Sequence, residues 1–410
     1  MFNKSLTERK VIRFTIPWVI LFLCIFSFNN SYAFTEETKS NIKHQPIVEK
    51  LITVLETNRD LKEVVEKSIE NTKRFEKPAL SSYYAFLDKM ITTIPNAENW
   101  FPMRLDFYFV IASSPDNKLK SDATFQKWVR EFVNSLGSFL DTTESAKKLE
   151  SFWKDPTYRV NDYVIDPSGW LTFNQFFARH IKPGKRPIDG RNDDRVIVFP
   201  ADSVFKGQWQ IDQNSEVTVK GLKWNVLNLL DRSPYQERFK GGLFTHSYLS
   251  PHDYHRFHIP VSGVIKEIRK VTGKVVLDVY KKEDGNLAVV DGDVGYQFTQ
   301  ERGLVIIDSP IGLVAMIPVG MGIVSSVNFT ADEGEKLVKG EELGYFAFGG
   351  SDIILLFEAS SKVQFSAETA AIQSILKTRQ SEPLPFYFEH ALASPWLEPA
   401  VLRYQCGKSK

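Results

Sequence analysis

The apolar pattern changes period near Pro156, and this change restricts the possible fold more than any other feature of the chain. Upstream, Ile47, Val48, Leu51, Ile52 and Leu55, then Leu61, Val64, Val65, Ser68 and Ile69, recur at three- and four-residue steps with Glu, Lys and Asp between them. That is the spacing of amphipathic helices. Further helices are predicted over 81–91 (Tyr83, Tyr84, Phe86, Leu87, Met90) and over 125–139 (Phe125, Trp128, Val129, Phe132, Val133, Leu136, Phe139), with Pro95-Asn96 and Pro102 breaking the pattern between them. Downstream, Asp166-Pro167-Ser168-Gly169 reads as a turn, 173–179 as a short aromatic helix and Pro183-Gly184 as a loop opening. From Val196 the chain becomes short runs of Val, Ile, Phe and Tyr, such as 275–280, 304–307 and 313–317, punctuated by Asp284-Gly285 and Asp291-Gly292. Strands so closely spaced suggest a sandwich or barrel-like sheet, not alternating β and α. The expected class is α+β: a helical N-terminal domain, then a β-rich, sandwich-like catalytic domain.

A length of 410 residues suits two domains, and 43% hydrophobic with 25% charged residues excludes a mainly disordered or fibrous chain. Fifty-one Lys+Arg against 50 Asp+Glu makes nucleic acid an unexpected partner. Two cysteines, Cys24 and Cys406, exclude a disulfide-stapled scaffold and a Cys-rich zinc site.

The first 33 residues read as a secretory signal peptide. Lys4, Arg9, Lys10 and Arg13 make a basic start, Phe14 to Phe28 carry no charge, and Ser31-Tyr32-Ala33 places small residues before a cleavage point after Ala33. An uncleaved anchor is the alternative, but a spanning helix needs roughly 20 apolar residues. Cleavage removes four positive charges and one negative, taking the formal +1 to −2 and leaving Cys406 as the sole thiol. The expected boundaries are 1–33 signal peptide, 34–165 helical accessory domain and 166–410 catalytic domain. The location expected is export, periplasmic or extracellular, with a peripheral contact to a membrane surface.

Histidine is concentrated: His246, His252, His255 and His258 fall in a 13-residue window. Imidazole titrates nearest neutrality, so the cluster suggests proton transfer, with surface or core histidines and a zinc site as alternatives. No metal is expected, because strong carboxylate or thiol partners are not nearby in sequence. Gly349-Gly350-Ser351 interrupts an apolar strand, as a bulge or a point of unusual backbone would. In Pro200-Ala201-Asp202 a carboxylate ends an apolar strand, as a turn cap or as one member of a carboxylate–histidine–serine triad.

Together these segments resemble the phosphatidylserine decarboxylase family of pyruvoyl enzymes. Phe176-Phe177-Ala178-Arg179, with Lys182-Pro183-Gly184-Lys185-Arg186-Pro187-Ile188, is similar to its entry motif. Pro200-Ala201-Asp202, the run from Tyr254 to Gly263, Glu301-Arg302, Val319-Gly320-Met321 and Gly349-Gly350-Ser351 follow in family order.

The resemblance implies a zymogen cut between Gly350 and Ser351, with Ser351 attacking the Gly350 carbonyl. A small chain, 351–410, then begins with a pyruvoyl cofactor made from Ser351, which condenses with a substrate amine and accepts electrons as CO2 leaves. It implies His258, oriented by Asp202, as the base that activates Ser351, and His255 for substrate recognition or protonation. The substrate implied is phosphatidylserine, giving phosphatidylethanolamine. The long helical region and the Trp170-Leu171 approach resemble instead the branch with fungal tryptophan decarboxylases, which points to a free aromatic amino acid. A non-catalytic β-sandwich binding protein is the remaining alternative. Asp352 stands where the family commonly has Thr or Ser, placing a charge beside the scissile bond.

Overall fold

The computed structural model describes residues 43–219, 222–289, 296–321, 327–348, 350–365 and 404–406. The expected signal peptide and the Asp291-Gly292 turn lie outside them. Among the described residues no helix is long and apolar enough to cross a membrane.

The N-terminal half is helical: α1 (Pro46–Thr57), α2 (Arg59–Thr72), α3 (Leu80–Thr92), α4 (Trp100–Ala112), α5 (Lys118–Ser121), α6 (Ala123–Leu140) and α7 (Glu150–Trp153). Local chemistry sets the starts. The Asn58 side chain accepts from Leu61 N at 3.1 Å to cap α2, and the Asp122 side chain accepts from Phe125 N at 2.8 Å to cap α6. The predicted periodic residues are the buried ones: Leu51 and Leu55 of α1, Val65 and Ile69 of α2, Trp128 and Phe132 of α6.

Helix α4 departs from the sequence reading. Pro102 was expected to break structure, yet it occupies the first turn of α4, where an N–H has no helical acceptor to lose. Helix α4 is apolar on nearly every side, so it shows no 3.6-residue stripe. It is the buried centre of the bundle, with Phe107, Tyr108 and Ile111 fully covered.

After α8 (Phe173–Phe177) come the strands, with one short helix, α9 (Leu227–Leu230), among them. They are β1 (Val196–Ile197), β2 (Val204–Gln210), β3 (Glu216–Val219), β4 (Leu222–Asn225), β5 (Leu243–Leu249), β6 (Arg256–His258), β7 (Gly263–Val271), β8 (Val279–Lys281) and β9 (Leu287–Val289). Next are β10 (Arg302–Ser309), β11 (Gly312–Met321), β12 (Val327–Phe329), β13 (Lys336–Leu337), β14 (Glu342–Phe346), β15 (Gly350–Phe357), β16 (Val363–Phe365) and β17 (Tyr404–Cys406). The main sheet has seven strands in the order β13-β7-β10-β11-β15-β5-β2, and a three-stranded sheet runs β12-β14-β6. Every pairing in both sheets is antiparallel. The class is therefore α+β.

Strand alternation divides the main sheet between two cores. Ile353, Leu355 and Phe357 join Leu249, Phe257 and Phe346 on one face, whereas Ile354 and Leu356 join Phe244, Leu230 and Phe298 on the other. The 275–280 run was expected to be one strand, but only its end, β8, pairs. Val275 and Val279 instead enter the helical core, which also takes in Phe173, Phe176, Phe177 and Phe348. The aromatic end of α8 and the segment before β15 are thus packed against the helices.

Candidate active site

Strand β15 carries Ser351 in the interior of the main sheet. Ser351 pairs with Gly320 of β11 on one side and with Leu249 of β5 on the other. It is fully buried, and its Oγ has no hydrogen-bond partner. The sequence suggested a bulge or unusual backbone at Gly349-Gly350-Ser351; Gly349 lies outside the described residues, and Gly350 and Ser351 sit in register in the ladder.

Asp352 points to the opposite face. Its Oδ1 lies 2.9 Å from His246 Nε2, and its side chain is fully buried. The charge that departs from the family pattern is therefore placed in a pair with a histidine one strand away.

The histidine motif runs from the end of β5 into β6. The Arg179 guanidinium, fully buried at the end of the α8 segment, donates to the His252 carbonyl at 2.7 Å and to the Asp253 carbonyl at 3.2 Å. It also stacks 4.1 Å from the Tyr163 ring. Arg256 Nε donates to the Ala178 carbonyl at 2.7 Å, so two arginines stitch the entry motif to the histidine motif. Gly263, which closes the motif, has no room for a side chain: a Cβ there would meet the Asp308 carbonyl at 2.5 Å.

The two central imidazoles differ in what they hold. His255 donates from Nδ1 to the Asp253 carbonyl at 2.9 Å, leaving Nε2 buried and unpartnered. Burial, and next the Arg179 charge, hold its pKa well below the ordinary value. It is a neutral base under an aromatic wall, with the Phe177 ring 4.0 Å away. His258 donates from Nδ1 to the Gly340 carbonyl at 2.9 Å and accepts at Nε2 from the Tyr254 hydroxyl at 3.1 Å. Burial lowers its pKa too.

The Asp202 segment is brought to this motif through backbone: His258 N donates to the Pro200 carbonyl at 2.7 Å. The expected orientation of His258 by Asp202 is not what the side chains do. Asp202 gives both oxygens to Arg186, at 2.8 and 2.9 Å from Nε, while the ring nitrogens of His258 take Gly340 and Tyr254. A forked guanidinium satisfies a carboxylate better than one imidazole N–H can.

Sequence reasoning passed over Asp253. Burial, followed by the nearby Asp202 charge, raises its carboxyl to about 7. A carboxyl titrating near neutrality, 3.7 Å from His252 Nε2 and in the residue whose carbonyl holds His255 Nδ1, is suited to moving protons. Its position inside the histidine motif was the available signal. Among the described residues no cluster of three or more His, Cys, Asp or Glu is arranged to hold a metal ion.

The sequence profile of the phosphatidylserine decarboxylase family matches residues 173–380, which includes Arg179, Asp202, the histidine motif and Ser351. Phosphatidylserine decarboxylase proenzyme 2 of rice is 34% identical over 254 residues, 61% of this chain and 39% of the relative. A phosphatidylserine decarboxylase proenzyme of Fusobacterium nucleatum is 31% identical over 235 residues, 57% of this chain and 76% of the relative. Decarboxylase iboD of Amanita muscaria is 29% identical over 299 residues, 64% of this chain and 85% of the relative. The chain spans only 39% of the rice protein's length and 24% of that of phosphatidylserine decarboxylase proenzyme 3 from Schizosaccharomyces pombe. With half of its residues matched by one profile, from the α8 aromatics through the buried serine of β15, the chain belongs to the phosphatidylserine decarboxylase family.

Proposed function

We propose that this chain is the zymogen of a pyruvoyl-dependent carboxy-lyase that cuts itself between Gly350 and Ser351. The matured enzyme would then convert phosphatidylserine to phosphatidylethanolamine and CO2. The observation that carries the reading is Ser351: a fully buried hydroxyl after Gly350 with no partner. An unsatisfied buried hydroxyl costs about 1–3 kcal/mol, a cost consistent with a group kept for chemistry.

In the cleavage, Ser351 Oγ attacks the Gly350 carbonyl carbon and gives its proton to an imidazole. The C–N bond breaks, the nitrogen takes a proton, and Gly350 becomes an ester on Oγ. Loss of the Ser351 Cα proton with breakage of the Cβ–Oγ bond frees Gly350 as a carboxylate. Water replaces the nitrogen of the dehydroalanine that remains, ammonia leaves, and a pyruvoyl heads the small chain 351–410. The orphaned Ser351 Oγ fits this origin for the group, which when formed supplies an electron sink for a carbanion.

His258, the base implied by family resemblance, is neutral through burial and already holds a hydroxyl proton donor, Tyr254, at Nε2. His255 keeps Nε2 open within an aromatic wall, as suits an atom that holds a proton for a bound substrate. The free Nε2 equally favours a second assignment, His255 as the base for Ser351, and the two variants tested separately decide between them. Asp202 and Arg186 anchor the segment between β1 and β2 whose Pro200 carbonyl accepts from His258 N.

The lipid substrate is supported by the names of the rice and Fusobacterium relatives. A second reading, decarboxylation of a free aromatic amino acid such as tryptophan, rests on the long helical region that precedes Phe173. The test is CO2 release by matured protein from phosphatidylserine in detergent micelles and, separately, from tryptophan. Turnover of tryptophan alone replaces the substrate and keeps the chemistry. A single full-length chain with intact Ser351 ends the enzyme reading in favour of a non-catalytic binding protein. Export with peripheral membrane contact belongs to the same proposal and rests on residues 1–33. N-terminal sequencing that finds Phe34 first supports it, and retained Met1 refutes cleavage.

A further inference from the structure

Helix α4, outside the matched family region, sends one cation toward the processing segment. Arg104 is buried, 8% exposed, and its Nε and Nη1 have no hydrogen-bond partner. The guanidinium is stacked between the Phe348 ring, 3.3 Å from the centroid, and the Trp100 ring at 4.2 Å. The ionisable groups that act on it are tyrosines, Tyr108 and Tyr158, and the Tyr108 hydroxyl is likewise buried and unpartnered. Arg74 and Asp106, the other charges facing the inside of this helix pair, satisfy each other at 2.8 Å. Cation–π contacts offset only part of the cost of leaving a buried charge unpaired. A carboxylate would complete the site, accepting from one of the unpartnered guanidinium N–H groups and from the Tyr108 hydroxyl.

Among the described residues no carboxylate is paired with Arg104, and the proposed cleavage makes one. Phe348 stands two residues before Gly350, so their Cα atoms are at most about 7 Å apart. We infer that Arg104 is the receptor for the α-carboxylate of Gly350 created by self-cleavage. The inference rests on the cleavage proposed above. Freed from the β15 ladder, Gly350 reaches the guanidinium over the Phe348 ring that already covers it. The ion pair would hold the new end of the large chain away from the serine-derived group and lock the helical domain onto the cut enzyme.

The test is a thermal cycle read beside intact mass. Wild type (cut) and Ser351→Ala (uncut) are each compared with and without Arg104→Met. The expected result is that Arg104→Met lowers the Tm of cut protein by at least about 4 °C more than that of uncut protein, with Arg104→Lys in between. Carboxypeptidase should leave Gly350 on cut wild type and remove it from cut Arg104→Met. Equal Tm changes in cut and uncut protein overturn the inference. So does an additive cycle in which Arg104→Met instead raises KM for phosphatidylserine, which would make the bound anion the substrate's. An uncut wild-type chain refutes the cleavage itself, a failure that mass alone reveals.

Discussion

His246 Nε2 lies 2.9 Å from Asp352 Oδ1, directly across β15 from the buried hydroxyl of Ser351. In register, Asp352 faces Tyr248 and His246 faces Ile354, so the pair is diagonal and bridges β5 to β15 beside the scissile bond. The family's usual Thr or Ser would not reach an imidazole with a charge. Asp352→Asn keeps an acceptor for His246 and should leave cutting intact. Asp352→Ala strands the histidine and should cost about 1–3 kcal/mol in denaturant unfolding of the Ser351→Ala background, with slower cutting in the Ser351 chain. Equal stability of the Asn and Ala forms would show that the pair contributes nothing.

The two central histidines should separate by assay. His258→Ala is expected to remain one full-length chain, whereas His255→Ala is expected to cut and then release CO2 at least about 100-fold more slowly, the usual contribution of a positioned proton carrier. Denaturing gels and CO2 release report the two steps independently. Uncut His255→Ala beside cut His258→Ala exchanges the roles.

Acid should weaken the folded protein through these same imidazoles. Their folded pKa values are lowered by burial, so below pH 6.5 the unfolded chain binds protons that the folded chain refuses. Stability present above that value is lost as pH falls. Urea midpoints measured on the uncut Ser351→Ala protein at pH 7.5 and 5.5 should differ less once His255→Gln is added.

Asp253 has the opposite dependence. Its folded pKa, raised to about 7, means that the folded state binds the extra proton between the ordinary carboxylate range and neutrality, so its contribution to stability falls as pH rises through that window. Asp253→Asn can still accept from Ser250 N, as Asp253 does at 2.7 Å. It should raise the Tm at pH 8 and leave it nearly unchanged at pH 4. A gain of equal size at both values would show that the carboxyl titrates normally.

Arg179→Lys tests the stitch between the two motifs. One ammonium cannot serve the His252 and Asp253 carbonyls and also stack on Tyr163, so the substitution is not conservative. Loss of about 2–3 kcal/mol and impaired cutting are expected, read by urea unfolding and gel.

The helices with an apolar stripe were legible in the sequence because only one face of each is buried. Helix α4 was not, because Phe107, Tyr108 and Ile111 are covered from several sides and Pro102 masks its start. The local runs 304–307 and 313–317 read correctly as strands, and the fold pairs them as β10 and β11. Val275 and Val279 read as strand because they are β-branched, but their burial comes from the helical domain, which no local window contains. For the site, Asp202, His255, His258 and Ser351 could be named from motif order. The partner of Asp202 could not: Arg186 was quoted for its place in a motif, and only the fold shows that it captures the carboxylate.

Strand β15 is bonded on both sides, to β11 and to β5. Once its first peptide bond is cut, the small chain remains woven into the sheet of the large one through the backbone hydrogen bonds of β15. While the link exists, refolding is unimolecular and indifferent to concentration. After the cut it requires two chains to meet, and the strand that must be inserted is interior to the sheet, not at its edge. Maturation would thus convert a reversible folding problem into an irreversible one: a denatured and diluted mature enzyme has no route home, and its lifetime is set by how slowly it first unfolds.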